Sequence, residues 1–266
     1  MIATAPPVAG LDELLLAMAD DEFVIGFSDS EWTGIAPMLE EDVAFSSMSQ
    51  DEIGHARLFY QMLEAETGVS ADKIAYARQP EEFLCCRLME HRRLDWAHAI
   101  ARQFLYDTAD HVRLEALTRS SYDPLRNAAD KIIREEKYHL LHGDMWMNRL
   151  AMLSEDSRNR LVASLEILWP DALGVFEPLP GEADLVADGT LPSTMAEMQT
   201  EWLAQIAPYF YNLNLPFPAE QDPDTRQYRA TVQPVYGGRR GEHTEEFTEL
   251  WTEMTSVYRL DPEAIW

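Results

Sequence analysis

The chain has 266 residues, with 21 basic and 47 acidic side chains, and therefore a formal net charge of −26 at pH 7. This acidic balance argues against binding to nucleic acid, which depends on Lys and Arg side chains that neutralise phosphates. A hydrophobic content of 46% fits a packed globular protein with a sizeable core, in one large domain or two small ones.

Three features bear on the compartment. No apolar run approaches the ~20 residues that a membrane span needs. Residues 1–7 lack the basic and apolar regions of a signal peptide. Cys85 and Cys86 are adjacent and are the only cysteines, so neither a disulfide framework nor a cysteine-rich metal site is expected, and we interpret both as small core residues. We therefore predict a cytoplasmic protein without membrane contact.

Apolar residues that recur with a 3.6-residue period predict long helices in the first 150 residues. The second of these helices ends at Gly68, Asp95 caps the third, and Asp123-Pro124 starts the fourth, with Pro in the first turn. The predicted helices are Leu11 to about Trp32, Met38 to Thr67, Asp95 to about Ser120, and Asp123 to about Leu150.

Two of these helices carry a Glu followed three residues later by a His. Glu52 and His55 form one pair, and Glu136 and His139 form the other. Positions i and i+3 lie on one face of a helix, so each pair can direct a carboxylate and an imidazole at one point. Two such pairs, each with a further acid from another helix, form the ligand set of a di-iron or di-manganese four-helix bundle.

The further acids are predicted from spacing. Glu22 precedes Glu52 by 30 residues and Asp107 precedes Glu136 by 29, so the two parts of the chain repeat one pattern. Non-metal interpretations remain open here: Glu22 could be an acid at the solvent edge, and Glu52 could pair with an Arg from another helix. Asp110 is a rival to Asp107, but it lies further from the matched spacing. The doubled pattern favours a metal site.

The rest of the chain predicts an extension on this bundle. Helices are expected from Asp156 to about Leu173, from Thr194 to Ile206 and from Glu242 to Tyr258. The segment from Pro208 to Gly241 is rich in Pro, Tyr, Asn and Gly and is interpreted as a long arm or docking loop at an interface. We see no strand pattern. We predict an all-α chain, with a four-helix bundle in residues 1–180 and a C-terminal extension in residues 181–266, packed together as one domain.

The sequence also resembles a known family, the phenylacetic acid catabolic proteins, which are ferritin-like subunits of ring-1,2-phenylacetyl-CoA epoxidase. Residues 50–55, 22–26 and 119–124 resemble the catalytic A subunit, whereas residues 30–34, 100–104 and 237–245, and the overall length, are similar to the C subunit. The resemblance implies a ferritin-like bundle. Matched position by position with the A subunit, it implies iron ligands at Glu22, Glu52, His55, Asp107, Glu136 and His139.

The family implies an O₂-dependent di-iron monooxygenase component that inserts one oxygen into an aromatic CoA thioester. Two Fe ions are expected as cofactor, with Mn as an alternative, and other epoxidase subunits are expected as partners in a hetero-oligomer. Electrons would come from a separate reductase, because the chain has no Gly-rich dinucleotide fingerprint and no Cys cluster for iron–sulfur.

One departure from the family pattern leaves the role open. C subunits typically lack the Glu-x-x-His pairs and act as scaffolds for the A subunit, whereas this C-like chain keeps the pairs. It could be a catalytic subunit, a non-catalytic scaffold that retains metal, or a paralogue with another substrate. A ferritin-like iron oxidase has the same ligand set and is a third kind of function.

Overall fold

The computed structural model describes residues 10–264. Residues 1–7, where the sequence argues against a signal peptide, lie outside the described residues. The helices are α1 (Leu11–Ser30), α2 (Leu39–Thr67), α3 (Ala71–Tyr76), α4 (Trp96–Leu117), α5 (Asp123–Leu153), α6 (Glu155–Leu173), α7 (Glu182–Asp188), α8 (Met195–Asn212), α9 (Glu245–Met254) and α10 (Ser256–Leu260).

Helices α1, α2, α4 and α5 form the ferritin-like bundle, which confirms the predicted all-α fold class. Their ends follow the predicted signals. The side chain of Asp95 accepts a hydrogen bond from the backbone N–H of His98 at the start of α4, and Gly68 ends α2 with φ of 74°. Pro124 lies in the first turn of α5.

Helix α1 is buried along nearly its whole length, although it carries several acids. Asp20, Asp21, Glu22 and Asp29 are each at most 1% exposed. Gly26 allows α2 to come close, because a Cβ at this position would lie only 2.9 Å from Cβ of Glu52. The bundle is therefore built around a helix with four buried carboxylates that need partners inside the protein.

Three expectations for the extension are wrong. Helix α8 continues through Pro208 to Asn212 instead of ending at Ile206. Pro208 and Ala204 are both exposed, so water can reach the carbonyl that Pro208 leaves without an N–H partner. The last predicted helix starts at Glu245 and divides into α9 and α10. Two short antiparallel strands, β1 (Ala219–Gln221) and β2 (Tyr228–Ala230), form a hairpin where no strand was expected.

The end of the predicted arm packs on the chain's own segment between α3 and α4. A Cβ on Gly238 would lie 2.2 Å from the carbonyl oxygen of Cys85, and one on Gly241 would lie 2.0 Å from that of Glu81. The division at residue 180 stays a prediction. In residues 10–264, no helix is long and apolar enough to cross a membrane.

Candidate metal centre

The bundle brings together all six residues that the sequence singles out. Their ligand atoms form two groups, in each of which the atoms lie within 4.8 Å of one another. Each of the six side chains is at most 2% exposed, so Glu22 is not an acid at the solvent edge. The first group contains Glu22, Glu52 and His55, and the second contains Glu52, Asp107, Glu136 and His139.

Glu52 and Glu136 lie between the two imidazoles. Nδ1 of His55 is 3.5 Å from Oε2 of Glu52 and 3.5 Å from Oε1 of Glu136. Nδ1 of His139 is 3.2 Å from Oε1 of each of these carboxylates. Glu22 approaches the first imidazole alone, with Oε2 3.3 Å from Nδ1 of His55. Glu52 and Glu136 are therefore the carboxylates that contact both imidazoles, and they would help to hold a metal pair bound there.

The outer nitrogen of each imidazole faces a carboxylate from the opposite helix. Nε2 of His55 is 3.0 Å from Oε2 of Glu135, and Nε2 of His139 is 3.5 Å from Oδ2 of Asp51. The contact with Glu135 is a hydrogen bond of the kind that fixes the ring orientation and the tautomer of a metal-binding His, with Nδ1 turned inward. Nε2 of His139 has no hydrogen-bond partner among the described residues, so Asp51 only approaches it. The sequence analysis missed these two residues, although an acid immediately precedes the Glu of both motifs.

Two polar side chains of α4 hold the remaining acids, and the sequence analysis assigned no role to either. The hydroxyl of Tyr106 donates a hydrogen bond to Oε1 of Glu22 at 2.7 Å. The amide of Gln103 donates to Oδ1 of Asp107 at 2.6 Å and to Oε1 of Glu52 at 3.4 Å. Each acid keeps its other oxygen for the centre of the site.

Several atoms at the centre need a positively charged partner. Among residues 10–264, no Lys or Arg lies within 4.0 Å of any of the four carboxylates, so the alternative pairing of Glu52 with an Arg does not occur. Buried polar atoms without partners are costly, and cations would satisfy these. The atoms without a hydrogen-bond partner include Glu52 Oε2, Asp107 Oδ2, Glu136 Oε1 and His139 Nδ1.

The ionisation of the side chains reflects the same demand for positive charge. Burial and the Glu52 carboxylate raise the pKa of Glu22 well above its ordinary value, and they raise that of Glu136 to about 7. Burial and Glu136 raise the pKa of Asp107 as well. Burial alone would lower the pKa of His55, but Glu22 and Glu52 raise it to about 11. Protons are therefore held where metal ions would compete for the same atoms.

Asp110, the rival acid, has a different partner. Its Oδ1 accepts hydrogen bonds from Arg113 at 3.0 and 2.6 Å. Asp110 belongs to neither group of potential ligands, whereas Asp107 belongs to one. The spacing argument therefore selects the acid that lies at the site.

A second cluster of potential ligands, Cys85, Glu90 and His243, has its polar groups satisfied by the protein. Both ring nitrogens of His243 have partners, Oε1 of Glu90 at 2.7 Å and the carbonyl oxygen of Phe83 at 2.9 Å. Burial and Glu90 raise the pKa of the Cys85 thiol well above its ordinary value, which keeps it protonated. Both cysteines are at most 1% exposed, as expected for core residues.

Comparison with known proteins gives one family. The family model described as phenylacetic acid catabolic protein matches residues 6–266. The chain is 29% identical over 255 residues to the C subunit of 1,2-phenylacetyl-CoA epoxidase from Escherichia coli (strain K12), and this match covers 94% of the chain and 97% of the relative. It is also 29% identical over 160 residues to the A subunit of that epoxidase from the same organism, covering 60% of this chain and 52% of the relative.

Proposed function

The chain belongs to the phenylacetic acid catabolic protein family, and from this premise we propose that it is the di-iron oxygenase component of a multicomponent ring epoxidase. Its substrate would be an aromatic acyl-CoA thioester of the phenylacetyl-CoA type, into which one oxygen atom of O₂ is inserted. The observation that carries the proposal is the convergence of two Glu-x-x-His pairs and two further acids on one buried point.

The donor set suits two divalent iron ions. Four carboxylates and two neutral imidazoles bring four negative charges, which balance the four positive charges of two ferrous ions. Manganese fits the same set, and iron is proposed because the family resemblance implies it. When bound, the metal pair supplies the O₂ activation that ordinary side chains lack.

The protein's own contribution is to hold and to seal the site. Glu52 and Glu136 stand between the imidazoles, while Glu135 keeps the ring of His55 turned inward. The six ligand side chains are almost completely buried, so bulk water is kept from the reacting atoms. The hydrogen bond from Tyr106 holds one oxygen of Glu22 and leaves the other directed at the site.

Partners are proposed from the relatives. Both relatives are named as subunits of one epoxidase, which supports a hetero-oligomer with further subunits of that kind. A separate reductase would supply electrons, since the sequence contains no dinucleotide fingerprint and no iron–sulfur cysteines. We keep the cytoplasm as the proposed location, and nucleic acid and membranes are not among the proposed partners.

A non-catalytic scaffold is the second candidate, and one observation favours it. The C subunit matches the chain over nearly its whole length, whereas the match to the A subunit covers 60% of the chain. A scaffold of the C type would support a catalytic A-type subunit without using its own metal site. The retained ligand set, with its unpartnered buried atoms, favours the oxygenase role instead.

The first experiment measures bound iron and manganese per chain in the purified protein and in a variant with Glu52→Ala and Glu136→Ala. About two metals are expected in the parent and none in the variant. The matched control carries Glu40→Ala and Asp130→Ala, which remove two exposed acids from the same two helices. The control is expected to bind two metals.

A folded parent without metal would overturn the proposal of a di-metal centre. Separating oxygenase from scaffold needs a second measurement, epoxidation by the chain assembled with the other subunits and the reductase. The oxygenase role requires that the Glu52→Ala, Glu136→Ala variant loses activity in that assembly. Full activity of the assembled variant would establish the scaffold role.

A further inference from the structure

A continuous series of hydrogen bonds joins the metal site to the C-terminal part of the chain. Tyr106, which donates to Glu22, accepts a hydrogen bond from Arg113 at 3.3 Å. Arg113 also donates to Oδ2 of Asp21 at 2.8 Å. Arg239 donates to both oxygens of Asp21, at 2.8 and 2.6 Å. All five side chains are at most 3% exposed, so water does not compete for these bonds.

Glycines bring Arg239 to this position. The segment 237–241 reads Gly-Gly-Arg-Arg-Gly, and we call it the GGRRG segment. Gly238 and Gly241 lie so close to the carbonyls of Cys85 and Glu81 that a Cβ at either position would collide with them. Gly241 also has φ of 73°, where other residues are strained. The sequence of the segment thus permits the close docking that buries Arg239.

The guanidinium of Arg239 is fully engaged on α1 and its neighbours. Besides Asp21, it donates to the carbonyl oxygens of Ala17 at 3.1 Å, Leu84 at 2.7 Å and Val175 at 3.2 Å. Ala17 and Asp21 are one turn apart on α1, and Asp21 immediately precedes the candidate ligand Glu22. Arg239 therefore fixes the turn of α1 that carries Glu22.

The residues in this series of hydrogen bonds also balance one another's charges. Asp21 lies between two guanidinium groups, and both donate hydrogen bonds to its carboxylate. Arg239 and Arg113 balance the charges of Asp21 and Asp110 inside the protein. Removing Arg239 would leave the buried Asp21 carboxylate with one guanidinium fewer, which favours movement of the turn of α1 that carries Glu22.

We propose that Arg239 is a positioning residue of the metal centre: through Asp21, Arg113 and Tyr106 it holds Glu22 in place and sets the metal affinity of the Glu22–Glu52–His55 group. The proposal rests on the di-metal site of the proposed function. It is specific to that group, because Asp107 in the other group is held by Gln103 from its own helix.

The test compares Arg239→Ala with Arg240→Ala in the full chain. Arg240 is the neighbouring residue, its side chain is 55% exposed, and it pairs with Glu177 at 3.1 Å. Manganese(II) is titrated into metal-free protein, and the two binding constants are measured together with the electron paramagnetic resonance spectrum. In Arg239→Ala one metal is expected to bind as in the parent and the other at least tenfold more weakly.

The electron paramagnetic resonance spectrum shows whether two ions are bound next to each other. Two adjacent Mn(II) ions are spin-coupled, so loss of one site leaves the signal of an isolated ion at concentrations that saturate the parent. Arg240→Ala should give the coupled spectrum of the parent. Arg239→Lys keeps the charge without the paired contacts to Asp21, so its weaker metal should bind between the parent and the Ala variant.

Two results decide against the proposal. Folded Arg239→Ala protein that binds both metals with parental affinity overturns it. If that variant does not fold, Tyr106→Phe is decisive, because it removes only the hydroxyl that contacts Glu22. Tenfold weaker binding of one metal supports the proposal, and parental binding of both overturns it. A parent that binds no metal would instead overturn the di-metal centre itself.

Discussion

The two halves of the candidate metal centre share a ligand pattern but not a support. The first half consists of Glu22, Glu52 and His55 on α1 and α2, and the second of Asp107, Glu136 and His139 on α4 and α5. The acid of the first half depends on α4, through Tyr106, and on the distant GGRRG segment. The acid of the second half depends on Gln103, one turn away on the same helix.

The difference shows that a repeated motif need not bring repeated surroundings. The first half should be sensitive to substitutions far away in the sequence, because a change at any residue between Glu22 and Arg239 breaks the series of hydrogen bonds. The second half should respond mainly to changes in α4 and α5. Four predictions test this contrast, in order of decreasing expected effect.

The largest effect on the free energy of unfolding is expected when Arg113, which supports the first half, is replaced. Arg113→Met removes the guanidinium between Asp21 and Asp110 and should lower the free energy of unfolding by about 3–5 kcal/mol. Gln103→Met, which removes the support of Asp107, should cost about 1–3 kcal/mol, since one neutral donor is lost. Urea denaturation of both metal-free variants measures the difference. Equal losses would mean that the two halves are supported alike.

The second contrast concerns two glycines at which neighbouring helices come close to each other. Gly26→Ala places a Cβ 2.9 Å from Cβ of Glu52 and 3.0 Å from the carbonyl oxygen of Ser49, so α1 and α2 must separate, at a cost of about 1–3 kcal/mol. Gly143→Ala meets only the Phe104 side chain and Cα, at 3.4 Å or more, and the helix propensity of Ala offsets a slight adjustment. Thermal unfolding should show a lower Tm for the first variant alone.

The third contrast is between Glu136 of the second half and His55 of the first, whose contributions to folding stability are lost over different pH ranges. In the metal-free protein the pKa of Glu136 rises from 4.5 to about 7, so the folded state keeps a proton that the unfolded chain releases. This stabilisation is complete below pH 4.5 and is lost as the pH rises through 7. The pKa of His55 rises from 6.5 to about 11, so its contribution is complete below pH 6.5 and is lost as the pH rises through 11.

Urea denaturation of chelator-treated protein from pH 4.5 to 9 measures these contributions. Glu136→Gln should reduce the loss of stability between pH 4.5 and 7, and His55→Gln the loss above pH 6.5, because neither Gln side chain titrates. The rest of each slope comes from Glu22, Asp107 and His139, whose pKa values are raised as well. Unchanged slopes in both variants would show that other groups control the pH dependence of stability.

The smallest effect concerns the carboxylates behind the imidazoles. Glu135→Gln should weaken metal binding about tenfold, because Glu135 lies 3.0 Å from Nε2 of His55. Asp51→Asn should have a smaller effect, because Asp51 is 3.5 Å from His139. Metal titrations against a competing chelator compare the two constants. A larger effect of Asp51→Asn would reverse this contrast between the halves.

The bundle and the candidate ligands are accessible to sequence reasoning because both follow local periodicity. Glu52 and His55 are three residues apart on one helix, and the matched spacing of Glu22 and Asp107 to the two motifs is visible without coordinates. That these residues bind metal stays a prediction. Gln103 could have been found by the same logic, since it lies four residues before Asp107 on the same helix face.

The support of the first half is not accessible in that way. Arg239 and Asp21 are 218 residues apart, and no periodic pattern connects them. The excess of acids also suggests solvated surface, whereas Asp20, Asp21 and Asp29 are buried against arginines. The short hairpin and the continuation of α8 through Pro208 depend on tertiary packing and solvent access, which local propensity does not encode.

The buried cysteine pair has a consequence for the proposed oxygenase role. The thiolate, and not the thiol, is the form that peroxide attacks. Burial raises the pKa of both Cys85 and Cys86, so almost no thiolate is present at neutral pH. Reactive oxygen that escaped from the metal centre would find no ionised sulfur to convert to sulfenic acid. In the proposed oxygenase, the placement of these two residues would thus limit oxidative damage at sulfur.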